Sequence, residues 1–199
     1  MISDLRLCQI AAQAYAGPWK WTSPGDTRVI RVEEDGYVVA GFEGTTLDGW
    51  AIVRDLRFLP WWHHRVGVVP AGALKGVQSV IDQILIDDGE AIRAGRFGVV
   101  GHSLGGQLAF VMAGWLVSLG YPPAFVAAFD PSRAGWWKLR HLIRKVPRAF
   151  YTWNGSDPVP KAWPMYLHPA RRMTLGKRRG LLCSIADHRI AAIEASLMP

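Results

Sequence analysis

Phe97-Gly98-Val99-Val100-Gly101-His102-Ser103-Leu104-Gly105-Gly106 runs from an apolar stretch through a serine that has glycines two residues before and two residues after it. Phe97 to Val100 reads as a buried strand. Beyond the serine, Leu104, Leu108, Val111, Met112, Trp115, Leu116 and Leu119 mark one face of a helix that stops at Gly120. Strand, Gly-x-Ser-x-Gly and helix in that order describe a serine on a sharp bend, where only glycine lets the two backbone arms pack closely. The helix start places backbone N–H groups and a positive dipole end beside Ser103, where negative charge would be stabilised. The stretch therefore predicts a nucleophilic serine; the bland alternative is a Gly-rich turn with an incidental one.

Working outward, Val29–Val32 and Tyr37–Phe42 are β-rich runs joined by Glu33-Glu34-Asp35-Gly36, whose Asp-Gly pair suits a hairpin turn. Leu74, Val77, Ile81, Ile84 and Leu85 recur at helical spacing, with a polar tail through Arg93 and a stop at Gly95. Ala124–Phe129 and Arg148–Trp153 read as further core strands, and Ile190, Ile193 and Leu197 as a closing helix. Strands alternating with helices imply an α/β fold with a mostly parallel sheet covered on both faces, preceded by antiparallel strands. No repeat or linker divides residues 1–199, so one domain is expected. Two segments stand outside the alternation: the aromatic loop Phe58–His64, and the basic stretch Gly135–Lys145 with its interleaved Trp, Leu and Ile.

The chain has 199 residues, half of them hydrophobic, enough for a sizeable core. A formal charge of +7 favours contact with polyanions or anionic membrane surfaces, although a solvated basic surface explains it equally. Cys8 and Cys183 are far apart, which argues against a disulfide framework and for buried free thiols. Leu7 to Ala16 is apolar enough to suggest a signal peptide, but Asp4, Gln9 and Gln13 argue for an amphipathic helix instead. The apolar run Leu108–Leu119 is too short and interrupted to span a bilayer, and a cytoplasmic location is expected. There is no metal-ligand spacing, Walker loop or dinucleotide fingerprint, so neither metal nor cofactor is implied. The positive residues form no recognised nucleic-acid module.

Five ordered segments resemble the class 3 lipases, a triacylglycerol lipase and esterase family with the α/β-hydrolase fold. Phe42-Glu43-Gly44-Thr45-Thr46 with Trp50 and Asp55-Leu56 is similar to its F-R-G-T and W-x-x-D-L elements. Gly101–Gly106 matches G-H-S-L-G-G, Ala128–Gly135 resembles T-F-G-x-P-R-V-G, Asn154–Pro160 resembles N-x-x-D-x-V-P, and Asp187-His188-Arg189-Ile190 resembles a terminal D-H-x-x. The resemblance implies a serine carboxylic-ester hydrolase. It also implies an oxyanion hole built from Thr45 and from the N–H of Leu104, the residue after the nucleophile.

A serine hydroxyl needs a histidine base and a carboxylate to orient that base. In α/β-hydrolases the chain order is serine, acid, histidine, which makes Asp157 and His188 the natural partners of Ser103. Asp130, at the end of strand Ala124–Phe129, is the competing acid; the resemblance demotes it because the family carries glycine there. His168 also follows Asp157 and is the runner-up base, although Leu167 and Pro169 around it suggest a structural turn.

Two departures from the family pattern stand out. Glu43 replaces its arginine, so that corner's charge pair is lost or inverted, and Pro70-Ala71-Gly72-Ala73-Leu74 replaces its H-x-G-F. Ten tryptophans is a high count, and Trp61, Trp62, Trp136 and Trp137 fall in the unassigned segments, as a lid or lipid-contact surface would require. Lys138, Arg140, Arg144, Lys145, Arg171, Arg172 and Lys177–Arg179 would then attract anionic lipid; packing under long loops with a solvated basic face is the alternative. The rival functions are a thioesterase or acyltransferase with the same triad, and a catalytically silent lipid- or partner-binding module.

Overall fold

The computed structural model describes residues 1–23, 27–44, 58–177 and 185–198. In chain order the elements are α1 (Asp4–Gln13), β1 (Trp21–Thr22), β2 (Arg28–Glu34), β3 (Tyr37–Phe42), β4 (Pro60–His63), β5 (Gly67–Pro70), α2 (Ala71–Gln78), α3 (Ile81–Arg93) and β6 (Phe97–His102). They continue as α4 (Leu104–Ser118), β7 (Phe125–Phe129), α5 (Trp137–Ile143), β8 (Arg148–Asn154), β9 (Arg171–Leu175) and α6 (Ile190–Leu197), with short 3₁₀ turns at Val159–Lys161 and Ile185–His188.

The main sheet has the order β1-β2-β3-β6-β7-β8-β9. The β1-β2-β3 portion is antiparallel, and every later pairing is parallel. This is the expected α/β architecture. Alternating side chains fill two cores: Val38, Ala40, Phe42, Phe97, Val99, Val126 and Ala128 face one way, while Val39, Val100, Phe125, Ala127 and Phe129 face the other. Helices α2, α3, α4 and α5 cover the first face, and α1 and α6 cover the second. Each fully buried Phe or Leu contributes roughly 1.5–3 kcal/mol.

The central helix α4 differs from its one-sided sequence pattern, because every residue from Gly105 to Val117 is buried. It is enclosed by the sheet on one side and by α2 and α5 on the other, and such a helix can be apolar all round. The single helix expected from Leu74 to Arg93 is two helices, broken at Ser79 and Val80, because the apolar spacing continues across the break and hides it. The aromatic segment 58–64 is not a loop: β4 pairs antiparallel with β5, from Pro60 opposite Pro70 to His63 opposite Gly67. Helix α1 begins at Asp4, capped by Ser3, and buries Cys8 as a free thiol; Cys183 lies outside the described residues. No helix among the described residues is long and apolar enough to cross a membrane.

The parallel register decides where chemistry can occur. Phe42 stands opposite Gly101, Gly101 opposite Ala128, and Ala128 opposite Tyr151, so β3, β6, β7 and β8 end at one edge. Open parallel sheets bind ligands outside these carboxyl ends.

Candidate active site

Ser103 sits between β6 and α4 with φ 56° and ψ −123°, a conformation rare for a residue with a side chain. The bend is held by its N–H donating to the Phe129 carbonyl at 2.9 Å, and by its own carbonyl accepting from Gly106 N–H at 3.1 Å. The flanking glycines are required by contact. A Cβ on Gly101 would lie 2.2 Å from the Gly105 carbonyl oxygen, and one on Gly105 would lie 2.3 Å from that of Phe42.

The structure brings the three predicted side chains together. His188 Nε2 is 2.9 Å from Ser103 Oγ, and its Nδ1 is 2.6 Å from Asp157 Oδ2. Asp157 is fully buried, with its Oδ1 accepting from Val159 N–H at 2.8 Å. With Nδ1 protonated toward the carboxylate, Nε2 is left as an acceptor for the serine proton. The N–H of Leu104 belongs to the first turn of α4, where the helix supplies no acceptor of its own. Thr45 lies outside the described residues, as do Trp50, Asp55 and Leu56.

His188 is placed by contacts that the sequence pattern did not reveal. Asn154, the last residue of β8, donates from Nδ2 to the Asp187 carbonyl at 2.9 Å. Asp187 Oδ2 in turn accepts from Ser156 N–H at 2.9 Å. From the other side, His102 Nε2 meets the His188 carbonyl at 2.8 Å, while its Nδ1 meets the Tyr15 hydroxyl at 2.7 Å. Nε2 must therefore be the protonated nitrogen of His102, with Nδ1 accepting from Tyr15. Burial pushes the His102 pKa down to about 3, so it remains a neutral bridge. Burial also raises the Tyr15 phenol.

Asp130, the competing acid, is fully buried at the end of β7. Its Oδ1 accepts from the Thr152 hydroxyl at 2.6 Å, and Asn154 N–H is shared between its two oxygens at 3.1 Å each. Burial first, then the neighbouring Asp157, raises its pKa well above the carboxylate range. Side-chain ligand atoms of Asp130, Asp157 and His188 lie within 4.8 Å of one another. A metal there would have to displace the His188–Asp157 bond. His168, the runner-up base, is remote in role: its Nε2 donates to the Pro160 carbonyl at 2.7 Å, its ring stacks on Tyr151, and burial lowers its pKa to about 4.

The Glu43 corner is inverted rather than lost. The buried Glu43 carboxylate lies 3.5 Å from the Arg28 guanidinium on β2. Trp61, Trp62, Trp136 and Trp137 are 62%, 65%, 45% and 68% exposed. The two segments that carry them adjoin, because Val68 of β5 pairs with Trp62 and also accepts from Trp136 N–H. Lys138 reaches the His64 carbonyl across the same junction, and Arg140 lies over the Trp137 ring. Arg171 and Arg172 instead occupy the edge strand β9, where charge also guards an open sheet edge.

Strand order, elbow and strand-end chemistry together define an α/β-hydrolase fold. The profile described as Lipase (class 3) matches residues 31–167, and the chain belongs to that family of serine ester hydrolases. No curated protein matches the sequence. Solved structures share the fold. The Rhizomucor miehei lipase in a propeptide complex, a deletion mutant, has a TM-score of 0.71 at 20% identity, over 87% of this chain and 66% of that one. The lipase from Rhizopus microsporus var. chinensis has 0.69 at 20%, over 93% and 84%. A triacylglycerol lipase from Penicillium expansum has 0.67 at 16%, over 88% and 79%. The chain thus spans just under two thirds of the Rhizomucor protein's length.

Proposed function

We propose that this protein hydrolyses carboxylic esters, with triacylglycerol-like lipids as its substrate class, through an acyl-enzyme on Ser103. The observation that carries the reading is the continuous hydrogen-bonded line from Ser103 Oγ through His188 to Asp157, at 2.9 and 2.6 Å. A silent binding module has no need of that alignment. Ser103 Oγ attacks the ester carbonyl carbon while its proton passes to His188 Nε2. The carbonyl π pair moves to oxygen, and the oxyanion is received by Leu104 N–H and by Thr45, the donor implied by the family pattern. Collapse breaks the C–O bond, and His188 returns the proton to the departing alcohol. Water then attacks the acyl-enzyme with His188 again as base, releasing the acid and restoring Ser103. Asp157 orients His188 and stabilises its cation.

A fluorophosphonate should label the protein with one equivalent, and Ser103→Ala should abolish both labelling and ester turnover. Labelling that survives the substitution overturns the assignment. Equal or faster transfer from thioesters, or to acyl acceptors other than water, would favour the thioesterase or acyltransferase reading of the same triad.

Within this reading the four tryptophans form the lipid-contact surface. Support comes from their exposure and from the cations beside them, since an indole suits the boundary between water and hydrocarbon. Co-sedimentation with anionic vesicles should exceed that with neutral ones; equal binding removes the electrostatic component.

A further inference from the structure

Asp130 is a second acid built into the strand-end corner, where the family pattern has glycine. Its backbone adopts φ 44°, a left-handed conformation that Asp, Asn and Gly tolerate. Both it and Asp157 are fully buried, and their oxygens converge with His188 within 4.8 Å. Two ionised carboxylates so close and so dry repel strongly, so the pair keeps one proton. Asp157 is the ionised member, because it receives both His188 Nδ1–H and Val159 N–H. On Asp130, Oδ1 accepts the short bond from Thr152 and half of the bond from Asn154. Oδ2 has only the other half of that shared bond and is the oxygen left to carry a proton.

We propose that Asp130 is a positioning residue: it shares one proton with Asp157 and donates it as a hydrogen bond, fixing the Asp157 carboxylate in the orientation that receives His188. The proposal rests on Ser103, His188 and Asp157 being the catalytic line. When the shared proton is lost, Asp130 has no hydrogen left to donate and repels Asp157, so the Asp157 carboxylate is no longer held toward His188 and turnover falls at alkaline pH. The other ionisable groups around the pair are Asp187 and His188 on the 3₁₀ turn, His102 at the end of β6, and Cys8 on α1, with Glu194 of α6 beyond it. Burial lowers the His102 pKa and raises that of Cys8, so neither supplies a charge that competes at neutral pH.

The test measures kcat and KM on a soluble short-chain p-nitrophenyl ester from pH 5 to 10, using the full chain and three variants. Asp130→Asn keeps a permanent donor and should hold kcat within about threefold at neutral pH while losing the alkaline inflection of the wild type. Asp130→Gly suits the backbone but has no donor, and should lower kcat about tenfold with KM unchanged. The proposal is overturned if Asp130→Gly retains wild-type kcat and pH profile, or if Asp130→Asn falls as far as Asp130→Gly. Should Asp130→Gly not fold, the profile of Asp130→Asn decides alone, and a persisting alkaline inflection overturns the proposal. Asp157→Asn reports on the underlying reading, with an expected loss of about 10³-fold or more. Near-normal turnover by Asp157→Asn overturns the triad itself, whereas an inactive Asp157→Asn beside an unaffected Asp130→Gly overturns only the role of Asp130.

Discussion

The edge where β6, β7 and β8 end and the β4–β5 hairpin are built on opposite principles. At the strand ends Asp130, Asn154, Asp157, Asp187 and His188 are all buried, and each has a polar partner. Along the hairpin and the start of α5 the large side chains stand in water, with Trp62 and Trp137 about two thirds exposed. A buried polar network is stable only when every member is satisfied, and it then holds its groups in one arrangement. An exposed aromatic strand contributes little to folding and is free to meet a surface. The first region is suited to positioning a reaction, the second to contact.

Placing the same substitution in both regions should separate them most clearly. Gly101→Ala drives a Cβ to 2.2 Å from a backbone carbonyl oxygen that cannot swing aside. We expect a loss of roughly 3 kcal/mol or more in urea unfolding, with ester turnover near background. Gly67→Ala, at the hairpin turn with φ 79°, meets the Lys138 side chain at 2.7 Å. Strain and a movable neighbour together should cost about 1–2 kcal/mol, with turnover of a soluble ester retained. Equal losses of activity would erase the distinction.

Acid should attack the buried polar side first. His102 and His168 titrate near 3 and near 4 in the folded protein because burial disfavours their cations, against about 6.5 in an unfolded chain. Below 6.5 the unfolded state binds protons that the folded state refuses. Their contribution is therefore complete above pH 6.5 and is lost as pH falls toward 4 and then 3, at about 1.4 kcal/mol per pH unit for each histidine. Urea unfolding across that range should show the slope, and His168→Gln should remove about half of it. A slope unchanged by that substitution would place the acid sensitivity elsewhere.

Asn154→Ala probes the joint between β8 and the histidine turn. It removes the bond to the Asp187 carbonyl and leaves that carbonyl buried, a cost of about 1–3 kcal/mol. The expected kinetic signature is a fall of roughly tenfold in kcat with little change in KM, because His188 is displaced rather than the substrate surface. A change in KM alone would assign Asn154 to binding.

Much of this corner was legible in the sequence, and the illegible part has a common cause. The Phe97–Gly106 stretch declares its strand, bend and helix through local chemistry, whereas chain order alone admitted Asp130 and His168 beside Asp157 and His188, and the family resemblance was needed to choose between them. Asn154, Asp187 and Tyr15 act through long-range hydrogen bonds, which leave no period or spacing; the family-like segments contain Asn154 and Asp187 but do not say what either one bonds. The fold shows the same division. Strands buried on both faces were read from their apolar runs, whereas β9, Arg-Arg-Met-Thr-Leu at the sheet edge, carries charges outward and resembles a basic loop. The β4–β5 hairpin was read as a loop because three of β4's four residues are exposed, so no inward face marks it as a strand.

That same exposure makes the hairpin the place where substitution should matter least to folding and most to adsorption. Trp61→Ala with Trp62→Ala removes two rings that are already 62% and 65% in water, so stability should shift by no more than about 0.5 kcal/mol. Turnover of a soluble short-chain ester should be unchanged, since neither ring belongs to the buried network around Ser103. Binding to anionic vesicles should fall several-fold, because each indole lost takes its interfacial transfer energy with it. If turnover of the soluble ester fell in step with vesicle binding, the hairpin would be acting on the reacting groups, and the two regions would be one device rather than two.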